Sequence, residues 1–151
     1  NNFINVIIFF VFLQIIYGAF NAGLKAGHFW NEYPLINGHY FPSGILKGDF
    51  LYDFIYNNKM IQVIHRNLAL VIIFLISFFS YSIISNIKNN FIYNNVMYLI
   101  LIIFLQFILG VLTLISKSSI IFAITHQFLA VLTVMSILKL KHSLRYSKNV
   151  I

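Results

Sequence analysis

The chain contains no cysteine. Disulfides, thiolate metal ligands and thiol redox chemistry are thereby excluded. Acidic residues are almost as scarce: Glu32, Asp49 and Asp53 are the only three, and 9% of the 151 residues carry charge of either sign. A soluble domain carries about 25%, and a chain this poor in charge cannot cover a water-facing surface. Proline occurs twice, at Pro34 and Pro42. What remains is 60% hydrophobic, with a mean hydropathy of +0.88, which makes the bilayer the natural solvent. The net charge of +7 comes from ten Lys and Arg residues. In a membrane protein such an excess reports orientation, so no nucleic-acid partner is expected. The chain opens on Asn1 without a basic start and a cleavage site. No signal peptide is therefore expected, and a fragment of a longer protein is an open reading.

A helix needs about 20 apolar residues to cross the hydrocarbon core. Four runs qualify: residues 3–20, 60–84, 95–115 and 119–138. They are continuous rather than alternating, which argues against a strand-built barrel. The expected fold is an all-α, polytopic membrane four-helix bundle forming one domain over residues 1–151. The connection over 21–59 is long and holds both prolines, and six of the seven glycines lie in it or just before it. The other two connections are short. Lys139, Lys141, Arg145 and Lys148 cluster in the tail KLKHSLRYSKN, which places the tail and both termini on the cytoplasmic or matrix side. The 21–59 loop is then an outer loop, with Trp30, Tyr33 and Tyr40 suited to an interfacial belt. The basic tail itself, His142 included, reads as a solvated end.

The four runs repeat a pattern. The first contains LQIIYG, with Gln14 and Gly18, and the third contains LQFILG, with Gln106 and Gly110. The second contains HRNLA, with His65 and Ala69, and the fourth contains HQFLA, with His126 and Ala130. The chain therefore reads as two parallel helix-pair repeats, related by an axis along the membrane normal. Gln14 and Gln106 suit interhelical hydrogen bonding, and Gly18 and Gly110 suit close helix approach. His65 and His126 fall at matched depth, roughly 7–10 Å below the outer boundary at 1.5 Å per residue.

Ionisable groups inside a membrane are costly and tend to be functional. Zinc wants three or four protein ligands, and here there is no cysteine, while every acid lies in the long loop. Haem iron needs only two, because the porphyrin supplies four nitrogens. A bis-histidine heme b on His65 and His126 fits this inventory; polar helix–helix contacts are the alternative. Arg66 always carries charge and suits a haem propionate, or else snorkels to headgroups or water. Gln62, one turn before His65, and Gln127, beside His126, are candidate hydrogen-bond partners for an imidazole or a propionate.

The pieces GAFNAGLKAG (18–27), Asn31 with Pro34 and Leu35, IQVIHR (61–66), LQFILGVLTL (105–114) and ITHQFLA (124–130) together resemble the C-terminal half of the heme A synthase family. The resemblance looks closest to its alphaproteobacterial and mitochondrial branch. Glu32 departs from that branch's small hydroxyl residue, and NGHYFPSGILKGDF matches most loosely. The resemblance implies an eight-helix fold of two similar four-helix halves, localised to a bacterial plasma membrane or the mitochondrial inner membrane. It implies a b-type haem on His65 and His126. It implies a substrate, heme O, whose methyl group becomes the formyl of heme A for cytochrome c oxidase. The catalytic residues are then expected in an N-terminal four-helix half, the direct partner of this one. Heme O synthase and cytochrome oxidase assembly factors are further implied partners. Besides this reading stand a free-standing b-type cytochrome for quinone-linked electron transfer, and a non-haem membrane subunit in which the histidines only pack.

Overall fold

A computed structural model describes residues 2–86 and 88–147. Four long helices account for the four apolar runs: α1 (Asn2–Gly23), α4 (Asn58–Asn86), α5 (Asn90–Ile115) and α6 (Ile120–Ser147). All four are long and apolar enough to cross a membrane. Two short helices, α2 (Ala26–Phe29) and α3 (Phe50–Ile55), lie in the long connection. Lipid offers backbone groups no partner, so a spanning segment must satisfy them within its own helix. Helix starts are capped by asparagine. Asn89 accepts from the Phe91 and Ile92 amides at 3.0 and 3.2 Å, and Asn57 from that of Lys59 at 3.2 Å.

α6 runs well past residue 138, where the apolar run ends. Ile137, Leu140 and Leu144 explain the extension. They recur at helical spacing and are buried in the core, so the helix continues wherever that stripe has something to pack against. Lys139, Lys141, His142 and Arg145 take the exposed face of the same segment. Lys148 lies outside the described residues.

α1 packs on α4 and α5 on α6, each pair being one sequence repeat, and α4–α5 and α1–α6 contacts close the ring. α4 and α6 therefore stand diagonally across it. The main core cluster lies in one half of the bundle, with Ile61, Val63 and Leu114 buried apart from it toward the loop. The cluster comprises Ile4, Ile7 and Val11 of α1, Ile72, Ile76 and Ile83 of α4, Ile92, Val96 and Leu99 of α5, and Ile137, Leu140 and Leu144 of α6. All of these lie toward the basic tail, and Phe3 stacks on Phe79 at 5.4 Å beside them.

The long loop covers the other end. Asp53 is 1% exposed. It accepts from the Asn57 side-chain amide at 2.9 Å and the Lys47 backbone amide at 2.7 Å. Asn57 also donates to the Gly44 and Ile45 carbonyls, at 3.1 Å each. The Trp30 indole donates to Asn58 at 3.2 Å, with the Lys59 ammonium 4.5 Å over its ring. On the far side, the His28 ring lies 3.4 Å from the Lys117 carbonyl, and Tyr33 packs edge-on to Phe107 at 6.2 Å. The loop thus touches both helix pairs.

Two outcomes follow for stability. Lipid solvates an aliphatic side chain about as well as the core does, so Ile76→Ala loses packing alone. It should cost about 2 kcal/mol, the low end for such truncations, read as a lower melting point in detergent. At Asp53 the Asn57 amide, followed by the Lys47 backbone amide, holds the carboxyl below its ordinary value against the opposing push of burial. Its contribution is therefore complete above the unfolded value of about 3.9 and is lost as pH falls through the lower folded value. Trp30 emission should hold from about pH 7 to 5 and shift only below about pH 4, and Asp53→Asn should flatten that acid transition.

Candidate functional site

α4 and α6 both begin at the loop end. His65 lies seven residues into α4 and His126 six into α6, or about 10 and 9 Å along the two axes. The histidines are therefore level with each other on diagonal helices, within electrostatic reach. Both are partly buried.

Each imidazole sits on the helix that precedes it in its own pair. A Cβ built on Gly18 would stand 3.2 Å from Cε1 of His65, and one on Gly110 would stand 3.0 Å from Cε1 of His126. The glutamines of the repeat reach the same rings. His126 Nδ1 is 3.1 Å from the Gln106 carbonyl. A carbonyl can only accept, so this contact puts the proton on Nδ1 and leaves Nε2 with its lone pair. That is the state in which an imidazole binds a metal, oriented through its other nitrogen. At His65 the Gln14 side-chain amide lies 3.4 Å from Nε2. His65 Nδ1 has no hydrogen-bond partner among the described residues.

Arg66 turns to the loop. Its terminal nitrogens donate to the backbone carbonyls of Trp30 at 3.2 Å and Pro34 at 3.3 Å, and also to that of Glu32. The Tyr33 ring lies 5.8 Å beneath the guanidinium. Gln62 donates to the same Trp30 carbonyl at 3.4 Å. Gln62, His65 and Arg66 thus form one group, in which two members hold the loop above the third. Gln127 is elsewhere: it is exposed, one residue past His126 and so about 100° around the helix.

Seven buried side-chain atoms lack a hydrogen-bond partner among the described residues. Six belong to the loop-end half: Gln14 Oε1, Asn21 Oδ1, Gln62 Oε1, His65 Nδ1, Arg66 Nε and Gln106 Oε1. Buried polar groups are ordinarily paired. Their concentration toward the loop leaves polar atoms there that a polar-edged group could pair. Among the described residues no three His, Cys, Asp or Glu come together, so a protein-only tetrahedral site lacks its ligands. Two axial nitrogens suit haem iron.

Sequence reasoning did not reach the carbonyl clamp on Arg66, because backbone acceptors leave no residue-type signal. It also assigned Gly18 and Gly110 to helix approach, whereas their nearest neighbours are histidine rings. The Gln-x3-Gly spacing carried that information, since it sets an amide and a gap one turn apart on one face.

Comparison with known proteins finds a family and several relatives. The family profile COX15-CtaA, described as cytochrome oxidase assembly protein, matches residues 1–138. A heme A synthase of Pelagibacter ubique is 33% identical over 137 residues, covering 90% of this chain and 40% of the relative. One from a Wolbachia of Brugia malayi is 38% identical over 128 residues, covering 83% and 36%. One from a Wolbachia of Culex pipiens is 36% identical over 149 residues, covering 97% and 42%. The chain thus spans about two fifths of the length of these relatives. No solved structure matches.

The clamp can be broken without touching either histidine. Arg66→Met removes the donors to three carbonyls, and hydrogen bonds from a charged group are the stronger kind. Amide exchange over residues 30–36 should speed up about tenfold or more, while exchange in the core helices stays unchanged.

Proposed function

Because the chain belongs to the COX15-CtaA family, we propose that it is the C-terminal, b-haem-carrying half of a heme A synthase. That enzyme oxidises the methyl group of heme O to the formyl of heme A for cytochrome c oxidase. The observation that carries the reading is the pair of level imidazoles on diagonal helices, one with its Nε2 lone pair freed by the Gln106 carbonyl.

A bis-imidazole haem, when bound, supplies one-electron transfer. The residues would hold it as follows. His65 and His126 would supply the two nitrogens that hold its iron. Gln106 keeps His126 in the binding tautomer, and Gln14 gives up a weak contact at 3.4 Å to free His65. Three of the five Arg66 donors hold the loop, so the Nε–H and the second N–H of Nη1 would be left for a propionate. Gln62 keeps a second N–H on Nε2 and an Oε1 without a partner among the described residues, so it would meet a propionate directly through that N–H or through water. Gln127 is too exposed to share in this. The loop, fastened over the site by Arg66 and Gln62, keeps bulk water off the haem edge.

All three acids lie in the loop connection and none in a long helix. A membrane-embedded carboxylate for substrate oxidation must therefore come from a companion four-helix half, where heme O would bind. Heme O synthase and oxidase assembly factors are the further partners of such an enzyme. The exposed Lys139, Lys141 and Arg145 support a tail on the cytoplasmic or matrix side of a bacterial plasma or mitochondrial inner membrane.

The test is a reduced-minus-oxidised visible spectrum of the chain purified with haem. A b-type α-band is expected. His65→Ala and His126→Ala should each lower haem retention by more than about tenfold, since losing a ligand exceeds losing its outer partner. An unchanged band in both variants would refute ligation. Haem should also raise the melting point of the parent chain, as any ligand specific for the native state does.

A further inference from the structure

We propose that Gly18 and Gly110 are positioning residues that set how the two imidazoles are presented to a shared haem; the proposal rests on the ligation reading above. Interior glycine disfavours a helix relative to alanine, so its use at the same place in both repeats calls for a reason. Close helix approach is the usual one in membranes, and it would bring a neighbouring backbone toward the missing Cβ. The neighbours found are of another kind. At Gly18 a Cβ would meet only Cε1 and Nδ1 of His65, at 3.2 and 3.8 Å. At Gly110 the three nearest atoms all belong to the His126 ring: Cε1 at 3.0 Å, Nδ1 at 3.5 Å and Nε2 at 3.7 Å. Gly23, further along α1, has nothing within 4 Å.

Both rings therefore stand edge-on against a bare stretch of helix, with Cε1, the carbon between the two nitrogens, turned toward the gap. A methyl group there would push the ring edge outward and rotate the direction in which its nitrogens point. The preceding glutamine, one turn away, addresses the same ring. It does so through its carbonyl at His126 and its side-chain amide at His65. Glycine and glutamine together thus seat each imidazole on the preceding helix of its pair. The contact is tighter at Gly110, so His126 has less freedom to adjust than His65.

The experiment compares Gly110→Ala, Gly18→Ala and Gly23→Ala in the full chain, purified with haem. The readouts are the low-spin ferric EPR signal, the reduced α-band and haem per polypeptide. Gly110→Ala should shift the EPR signal and lower haem content several-fold. Gly18→Ala should do the same more weakly, and Gly23→Ala should match the parent. Alanine favours helix, so haem-free Gly110→Ala should keep the parent's helical circular dichroism. A loss of helix there would make the glycine a packing residue and overturn the proposal. Unchanged spectra in Gly110→Ala and Gly18→Ala would overturn it as well. If His65→Ala and His126→Ala abolish haem binding while both glycine variants are silent, only the positioning role fails. If the histidine variants are silent too, the ligation reading fails with it.

Discussion

A polar atom placed in hydrocarbon has no water to turn to, so it must find its partner in the protein or beside something the protein binds. This constraint divides the bundle in two. Toward the basic tail the helices offer Ile, Val and Leu, and they close on one another. Toward the loop they offer glutamine, histidine, asparagine and arginine, and there six buried polar atoms stand without partners among the described residues. The packed half gives the other half its frame. Four helices held together at one end keep their opposite ends, and with them His65 and His126, at a fixed separation.

The loop answers the same constraint by other means. Arg66 carries a charge that cannot be neutralised, and no acid lies in any of the four long helices. Three backbone carbonyls from residues 30–34 take its donors instead. A cation in the membrane thereby becomes a fastening for the segment that covers the site. The His28 and Tyr33 contacts reach the second helix pair, so a loop belonging to the first repeat also braces the second.

Most of the architecture was legible from residues alone. Four apolar runs dictated four helices, and the doubled Gln-x3-Gly and His-x2-Leu-Ala patterns dictated which helices pair, α1 with α4 and α5 with α6. The reach of α6 was less legible, because a basic tail hides the Ile137–Leu140–Leu144 stripe from any reading that averages hydropathy. α2 and α3 were missed because their hold is tertiary: Asp53 and Asn57 tie the second into the loop, and Gly27 lets the first approach Ser118, to which a Cβ would stand 3.1 Å away. The partners of Arg66 were invisible because every residue type has a carbonyl. Gln127 shows the opposite failing, since adjacency to His126 in sequence placed it on a different face of the helix.

The two repeats differ most in how their helices are joined. α5 and α6 are linked by residues 116–119, with Lys117 and Ser118 in the left-handed region at φ 54° and 62°, whereas α1 and α4 are separated by residues 24–57. Closing a longer chain costs more entropy, and local contacts form ahead of distant ones. The seat of His126 is therefore complete as soon as a hairpin forms, while that of His65 waits for the long loop to fold back. The tighter seat is thus also the one whose two helices are joined by the shorter chain.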